Sequence, residues 1–342
     1  MKSKVLVTGG LGYIGSHTVV ELIDAGYEVF IIDNLINSSE SVLANIENTI
    51  GVKPNFFKAD LTNLEEISKI IKSNNIQSVI HFAAHLFVDE SVLKPMKYYR
   101  NNVVGLLNLL EVCEENEIKE FVFSSSCAVY GDKVKMPVSE SDLITQSSSP
   151  YGNTKIVGEL MLQDFIQANP NFNSTILRYF NPVGAHQKGF LGELSLNGPK
   201  HLFPIIINNI NNGKATQIYG DDYPTRDGTC IRDYVHVTDI AKAHVMSLKH
   251  MKTNDSSNLN IFNLGSGKGI TVLEILKEFE NELSNKISYK IVDRRAGDAI
   301  QIWSDTKKAK EKLGWEPKMG LKEMVSSALK WEENKIKVSD AR

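Results

Sequence analysis

The chain has 342 residues, 42% hydrophobic and 23% charged, with a formal net charge of −3. That length buries a large core without cross-links, the composition is that of a globular protein, and the slight acidity argues against a general nucleic-acid binder, which presents a basic face. Three scattered cysteines, Cys113, Cys127 and Cys230, form no Cys-x-x-Cys pair, which disfavours a disulfide framework or a zinc site and points to a reducing, cytoplasmic compartment.

The opening "MKSKVLVTGG" lacks the apolar segment of a signal peptide, and no run approaches a membrane span, so no membrane association is expected. "KVLVT" at 4–8 predicts a first strand and residues 13–25 an amphipathic helix. Further strands are predicted at "EVFIID" (28–33), "NFFKAD" (55–60), "SVIHFAA" (78–84) and "EFVFSSS" (120–126), with helical patterns between most of them, including 64–73 and 95–116. Short apolar strands alternating with helices predict a parallel sheet covered on both faces. A long helix from Tyr151 and a strand "TILRYF" at 175–180 continue the pattern. Residues 182–235 carry scattered Gly, Pro and Asn and shorter elements, after which "YVHVTDIAKAHVMSL" and "IFNLG" read as a return to the main sheet. From about 270 come a helix, a strand "SYKIVD" and two amphipathic helices. The expectation is an α/β protein: a doubly wound Rossmann-type parallel sheet over 1–181 and 236–268, and a smaller α+β substrate domain over 182–235 and 269–342.

"VTGGLGYIGSH" places Gly9, Gly12 and Gly15 directly after a strand and at the start of a helix. A tight turn, close backbone approach to a pyrophosphate and close helix–sheet packing each exclude a Cβ. The helix N-terminus then offers free N–H groups and a positive dipole end to phosphates. Asp33, at the end of the second predicted strand, stands where an acid accepts from an adenosine ribose and repels a 2′-phosphate, which favours NAD over NADP. A plain tight turn and a solvated strand end are the competing structural readings. In "SSPYGNTK", Tyr151 and Lys155 share one helix face; alone, they are an ordinary i, i+4 pair.

Eight stretches carry a family likeness: "VLVTGGLGYIGSHT", a glycine turn shared by many families, "DNLINSS", "ESVLKPMKYYRNNVVG", "FVFSSSCAVYGD", "SPYGNTK", the far more selective "LRYFNPVGAH" and "YGDDYPTRDGTCIRDYVHV", and "RRAGD". On these the chain resembles, over nearly its whole length, the extended short-chain dehydrogenase/reductase family, and within it the UDP-hexose 4-epimerases. The resemblance implies Tyr151 as acid/base, Lys155 as the cation that binds the nicotinamide ribose and lowers the tyrosine pKa, Ser126 as partner of the reacting sugar hydroxyl, and Ser124 closer to the cofactor. It implies NAD contacts at Gly9, Gly12, Tyr13, Ile14, Gly15, Asp33, Asn34, Asn37, Ser38, Asp60, Leu61, Phe82, Ala83, Ala84, Asn101, Ser124, Tyr151, Lys155 and Tyr179. The UDP-sugar side is implied at Ser126, Asn181, His201, Leu202, Gln217, Tyr219, Arg232, Arg295, Asp298 and Ile302. Arg232 and Arg295 would pair with the phosphates, Asp298 with the uridine ribose, and Leu202 and Tyr219 would flank uracil; a surface ion pair is the competing reading for each arginine.

The implied reaction interconverts UDP-glucose and UDP-galactose by reversible hydride transfer from sugar C4 to tightly bound NAD, with a 4-keto intermediate that turns over before hydride returns to its opposite face. No metal is implied, and the family's homodimer, carried over as analogy, pairs the helices near 95–116 and 151–170. Three positions depart from the family pattern. Leu86 stands where a phosphate-contacting lysine is common, His201 replaces a uridine-contacting asparagine, and Ile302 occupies the position that gates the sugar pocket. His85 is a candidate to compensate for the missing lysine, against a packed or solvated histidine. In "SSSCAVYG", Cys127 and Ala128 replace the Asp-Glu pair of related 4,6-dehydratases, so no acid is present to drive water loss. A UDP-N-acetylhexosamine, uronate or pentose 4-epimerase, and a non-catalytic NAD-binding sensor, stay open. Cys127 itself reads as an inert packing residue or a reactive thiol.

Overall fold

The structure is a computed structural model that describes residues 2–131, 135–144, 146–194, 196, 198–253, 258–295 and 299–340, with side chains through Lys335. Strands run in chain order as β1 (Lys4–Thr8), β2 (Glu28–Asp33), β3 (Asn55–Lys58), β4 (Ser78–His81), β5 (Glu120–Ser126), β6 (Asn173–Tyr179), β7 (Asn181–Val183), β8 (Thr216–Tyr219), β9 (Ile231–His236), β10 (Leu259–Leu264), β11 (Gly269–Thr271), β12 (Tyr289–Val292) and β13 (Gln301–Ile302). Helices are α1 (Tyr13–Asp24), α2 (Ser41–Ile50), α3 (Leu64–Asn74), α4 (Val88–Leu93), α5 (Pro95–Tyr98), α6 (Gly105–Glu115), α7 (Pro150–Ala168), α8 (Leu202–Asn211), α9 (Val237–Thr253), α10 (Val272–Leu283) and α11 (Leu321–Asp340).

Seven strands form one parallel sheet in the order β10-β6-β5-β4-β1-β2-β3. Its strands are apolar throughout because both faces are covered. Val5 and Val7 of β1 enter the layer shared with α1 and α9, while Leu6 enters the layer with α3, α6 and α7. Val29 and Ile31 against Phe30 and Ile32 repeat that alternation on β2, the period-2 signature of a strand. The order reverses between β1 and β4, which opens a crevice beyond their carboxyl ends, the usual ligand position in such sheets.

A second sheet joins β11, β9 and β13 with β7, and β12 pairs β8 in a third. Phe203, Ile206, Ile275, Phe279 and Val325 pack α8, α10 and α11 into a core of their own. The expected return to the main sheet at "YVHVTDIAKAHVMSL" needs correction. Its "YVH" lies in β9 of the second sheet, and only α9 and β10 rejoin the first. A short, buried, apolar strand has the same pattern in either sheet; the difference is tertiary. Asp233 of β9 fixes it, accepting from Ser266 N and Oγ, Gly267 N, and Ser304 N and Oγ.

The helix expected over 95–116 is interrupted. A π-helical turn, Tyr99–Val104, separates α5 from α6. The asparagines in that turn are poor helix formers. The helix expected from Tyr151 starts at Pro150, with Ser149 as N-cap accepting from Gly152 N at 3.2 Å. Among the described residues no helix is long and apolar enough to cross a membrane.

Candidate active site

The glycine turn joins β1 to α1. Gly9 has φ +69°, and a Cβ there would lie 2.7 Å from Ala83 N; one on Gly15 would lie 2.2 Å from the Gly9 carbonyl oxygen. Gly12 is the N-cap of α1, no side chain caps it, and no acid occupies the first turn. The helix start, with Tyr13 and Ile14, therefore presents uncapped backbone donors at the crevice. This is a cradle that fits a dinucleotide pyrophosphate.

Asp33 closes the turn from β2. Its Oδ2 accepts from Leu11 N at 3.1 Å, and its Oδ1 from Leu35 N at 3.0 Å and Ser38 Oγ at 2.7 Å. Asn34 donates to Asp60 Oδ2 at 2.8 Å. Burial pushes the Asp60 carboxyl up, but hydrogen bonds from Thr62 and Asn34 outweigh it and hold the group below its ordinary value. Leu61 is buried, Phe82 packs 4.6 Å from the His244 ring, Ala83 and Ala84 follow it, and Asn37 is exposed. Asn101 lies in the π turn and donates to Asn102 Oδ1 at 2.9 Å.

Across the crevice, Tyr151 lies beside Ser126, whose side chain favours its phenolate. Ser126 Oγ also accepts from Ala128 N at 3.2 Å. Lys155, 5% exposed, donates to the Ser124 carbonyl at 2.7 Å and sits 5.1 Å over the Phe123 ring. Tyr179 bonds His244 Nε2 at 2.6 Å and meets the Ser124 side chain. Burial pushes the Tyr151 phenol up to about 12, only partly opposed by Ser126, and pushes the Lys155 ammonium down to about 8. The expected lowering of Tyr151 by Lys155 is thus absent from the protein's own groups, because desolvation dominates. Burial also pushes the Cys127 thiol up to about 12, the condition of an inert packing cysteine.

The second sheet supplies the other wall. Arg232 on β9 pairs in register with Ile302 on β13 and donates to the Ile231 carbonyl at 2.9 Å. Ile302 is buried in a cluster with Val129, Tyr130, Val138 and Phe180, against which Cys127 packs. Asn181 opens β7. The Arg295 guanidinium lies 4.3 Å over the Tyr219 ring, and Tyr219 donates to Gln217 Oε1 at 3.1 Å. His201 occupies the N-cap position of α8, just before Leu202, with its side chain paired to Glu193 and not to the helix backbone; burial pushes the imidazole down, but the Glu193 carboxylate outweighs it and raises the pKa. Asp298 lies outside the described residues.

At the loop after β4, Leu86 is exposed, while His85 is buried with its ring 5.5 Å from Tyr98. Sequence reasoning missed Asn102, which accepts from His85 N at 2.8 Å and donates to the His85 carbonyl and to Thr154 Oγ1, both at 3.0 Å. It ties that loop to α7; the Asn-Asn pair inside a helical pattern was the available signal. Also missed was Phe87, whose ring receives the Lys200 ammonium at 3.9 Å and faces His201 at 6.2 Å.

The family model described as GDP-mannose 4,6 dehydratase matches residues 6–328. A UDP-glucose 4-epimerase of Haemophilus influenzae is 43% identical over 97% of this chain and 98% of its own, and one of Bacillus subtilis is 42% identical over 97% of each. Among solved structures, a UDP-glucose 4-epimerase from Stenotrophomonas maltophila with bound NAD and formylated UDP-arabinopyranose superposes with a TM-score of 0.94 at 38% identity, covering 98% of this chain and 99% of that one. One from Bifidobacterium longum, in complex with NAD+ and UDP, gives 0.92 at 39% identity, with coverages of 98% and 99%. The chain belongs to this family of extended short-chain dehydrogenase/reductases, and within it to the UDP-glucose 4-epimerases.

Proposed function

We propose that the chain is an NAD-dependent UDP-hexose 4-epimerase that interconverts UDP-glucose and UDP-galactose. The observation that carries the reading is the meeting of Ser126, Tyr151 and Lys155 at the end of β5, facing a glycine turn that admits no Cβ. Bound NAD supplies the reversible acceptor for the hydrogen at sugar C4 and a positive ring charge that favours the Tyr151 phenolate. Gly9, Gly12, Gly15 and the start of α1 hold its pyrophosphate, and Asp33 and Ser38 order the adenosine end. Tyr151 takes the proton from the sugar 4-hydroxyl and later returns it, while Ser126 orients that hydroxyl. Arg232 and Arg295 hold the diphosphate, a task that suits a guanidinium fork, and Tyr219 and Leu202 flank the uracil. The anchored nucleotide leaves the 4-keto sugar free to turn over.

The division into 1–181 with 236–268 and 182–235 with 269–342 follows from the same reading: the first unit carries the cofactor and the second the nucleotide. A cytoplasmic homodimer fits the exposed apolar side chains of Leu93, Met96, Leu107 and Leu160 on α4 to α7. The family model's description names a dehydratase, but Cys127 and Ala128 at the strand end carry no acid for water loss. Buried Ile302 on the sugar wall, smaller than tyrosine, supports a second activity on UDP-N-acetylhexosamines.

The test is a substrate panel on purified protein. UDP-galactose should yield UDP-glucose in a coupled assay. No product from NAD-loaded protein would favour a sensor, and failure on both N-acetyl substrates would remove the second activity.

A further inference from the structure

Three residues four apart on α7 each meet one of three consecutive serines at the end of β5. Tyr151 lies beside Ser126, Lys155 donates to the Ser124 carbonyl at 2.7 Å, and Ser125 Oγ donates to Glu159 Oε1 at 2.5 Å. The spacing keeps all three on one helical stripe. Glu159 is 3% exposed and grips Arg178 of β6 in a bidentate pair, at 3.0 Å from Nε and 2.7 Å from Nη2. Arg178 Nη1 donates to the Tyr130 hydroxyl at 3.0 Å, and Tyr130 donates to Asn263 Oδ1 at 2.6 Å.

A buried ion pair is weak evidence for stability, since apolar residues of similar volume often do as well. This one lies one helical turn from a buried lysine. A buried ammonium loses its proton readily unless a negative group opposes desolvation. The carboxylate that opposes it for Lys155 is Glu159.

We propose that the Glu159–Arg178 pair is a positioning element for the reaction: it holds the Ser124–Ser126 strand end in register with α7 and keeps Lys155 an ammonium aimed at the Ser124 carbonyl. The inference rests on the reading of Ser126, Tyr151 and Lys155 given above. The titratable groups packed around the stripe are His81 on β4, Tyr98 on α5, Cys127, Tyr130, and Arg178 and Tyr179 on β6. Burial keeps His81 neutral, at about 3, and raises the three tyrosines and the thiol, so the charges on the stripe itself are those of Lys155, Glu159 and Arg178, while Glu140 acts on Tyr130 and Arg232 and Asp233 act on Cys127. Removing the carboxylate therefore lowers the pH at which Lys155 loses its proton.

The experiment compares wild type, Glu159→Gln, Glu159→Asp and the double variant Glu159→Gln/Arg178→Met, which does not strand the Arg178 guanidinium and carries the comparison if Glu159→Gln misfolds. Expected for Glu159→Gln is a fall in kcat of about tenfold or more at pH 8.5, less at pH 6.5, with KM for UDP-galactose within about threefold and the alkaline limb of kcat moved down by about one pH unit. Glu159→Asp restores most of both. The double variant keeps the displaced limb. A double variant with the wild-type kcat and pH profile overturns the proposal, because the pair is then only packing. A carbon-13 NMR titration of Lys155, its signal assigned with Lys155→Met, reads the same effect without turnover. An unchanged Lys155 midpoint in the double variant overturns the proposal even if UDP-galactose proves not to be the substrate.

Discussion

Gly15→Ala separates the glycine turn's role in folding from its role in binding. The added Cβ falls 2.2 Å from the Gly9 carbonyl oxygen, where ordinary contact begins at 3.4 Å, so the start of α1 must recede by about 1.2 Å. Alanine favours the helix over glycine by about 0.8–1.0 kcal/mol. Overpacking costs about 1–3 kcal/mol, and here the obstacle is backbone, which cannot rotate away. The clash wins, with a net loss of about 2 kcal/mol. Affinity suffers more. A recession of about 1.2 Å exceeds the roughly 0.5 Å window of a good hydrogen bond. Each bond to a charged group contributes about 1.5–3 kcal/mol, so losing one or two weakens NAD binding by roughly 10- to 10⁴-fold. The assay is NAD titration calorimetry on cofactor-stripped protein, with Tm measured alongside. Gly51→Ala is the control: φ is +73° but nothing lies within 4 Å of its Cβ, so it costs about 1 kcal/mol of strain and leaves NAD affinity alone. Wild-type NAD affinity in Gly15→Ala, or equal weakening by Gly51→Ala, would refute the reasoning.

Tyr151→Phe should lower kcat by about 10²–10⁴ in the coupled assay while NAD affinity stays unchanged; retained turnover would assign the proton to another group. Leu86→Lys should slow NAD release up to about tenfold, read by cofactor dialysis, since it adds a charge-assisted contact at a partly exposed position. Arg178→Ala should destabilise the fold by about 3–5 kcal/mol in urea melts, because it strands the Glu159 carboxylate. Acid should destabilise the native state through His17, His81 and His244. Burial depresses each to about 3, below the roughly 6.5 of an unfolded histidine, so the unfolded chain binds more protons in that window. Stability is full above pH 6.5 and falls between 6.5 and 3, by up to about 1.4 kcal/mol per unit for each imidazole; a flat urea midpoint across that range would contradict it.

Much of the cofactor sheet was legible in the sequence because both its faces are covered. β2 and β5 coincide with the predicted "EVFIID" and "EFVFSSS", continuous apolar runs bounded by polar ends. The misplacement of "YVH" shows where that signal stops, since burial on two faces does not say in which sheet. The candidate site divides in the same way. The glycine turn and the Tyr151–Lys155 spacing carry their geometry within a few residues. Arg178 meets Glu159 across nineteen residues, and Asn102 meets Thr154 across fifty-two, so no local pattern announces either contact. The burial that raises Tyr151 was hidden for a related reason: charge neighbours are visible in a motif, whereas desolvation is set by everything that closes over it.

The pairing of β10 with β6 bears on how the chain emerges from the ribosome. By Tyr179 six neighbouring strands of the main sheet have been made, yet the strand that covers β6 begins only at Leu259, some eighty residues later. At about 5–20 residues per second, an apolar edge stands unpaired for roughly 4–16 s while the nucleotide wall is still being translated. Unpaired edges recruit other strands. A stop or stall between these two strands would thus leave an aggregation-prone product rather than an isolated cofactor domain, which makes the stretch from 180 to 258 the vulnerable interval of synthesis.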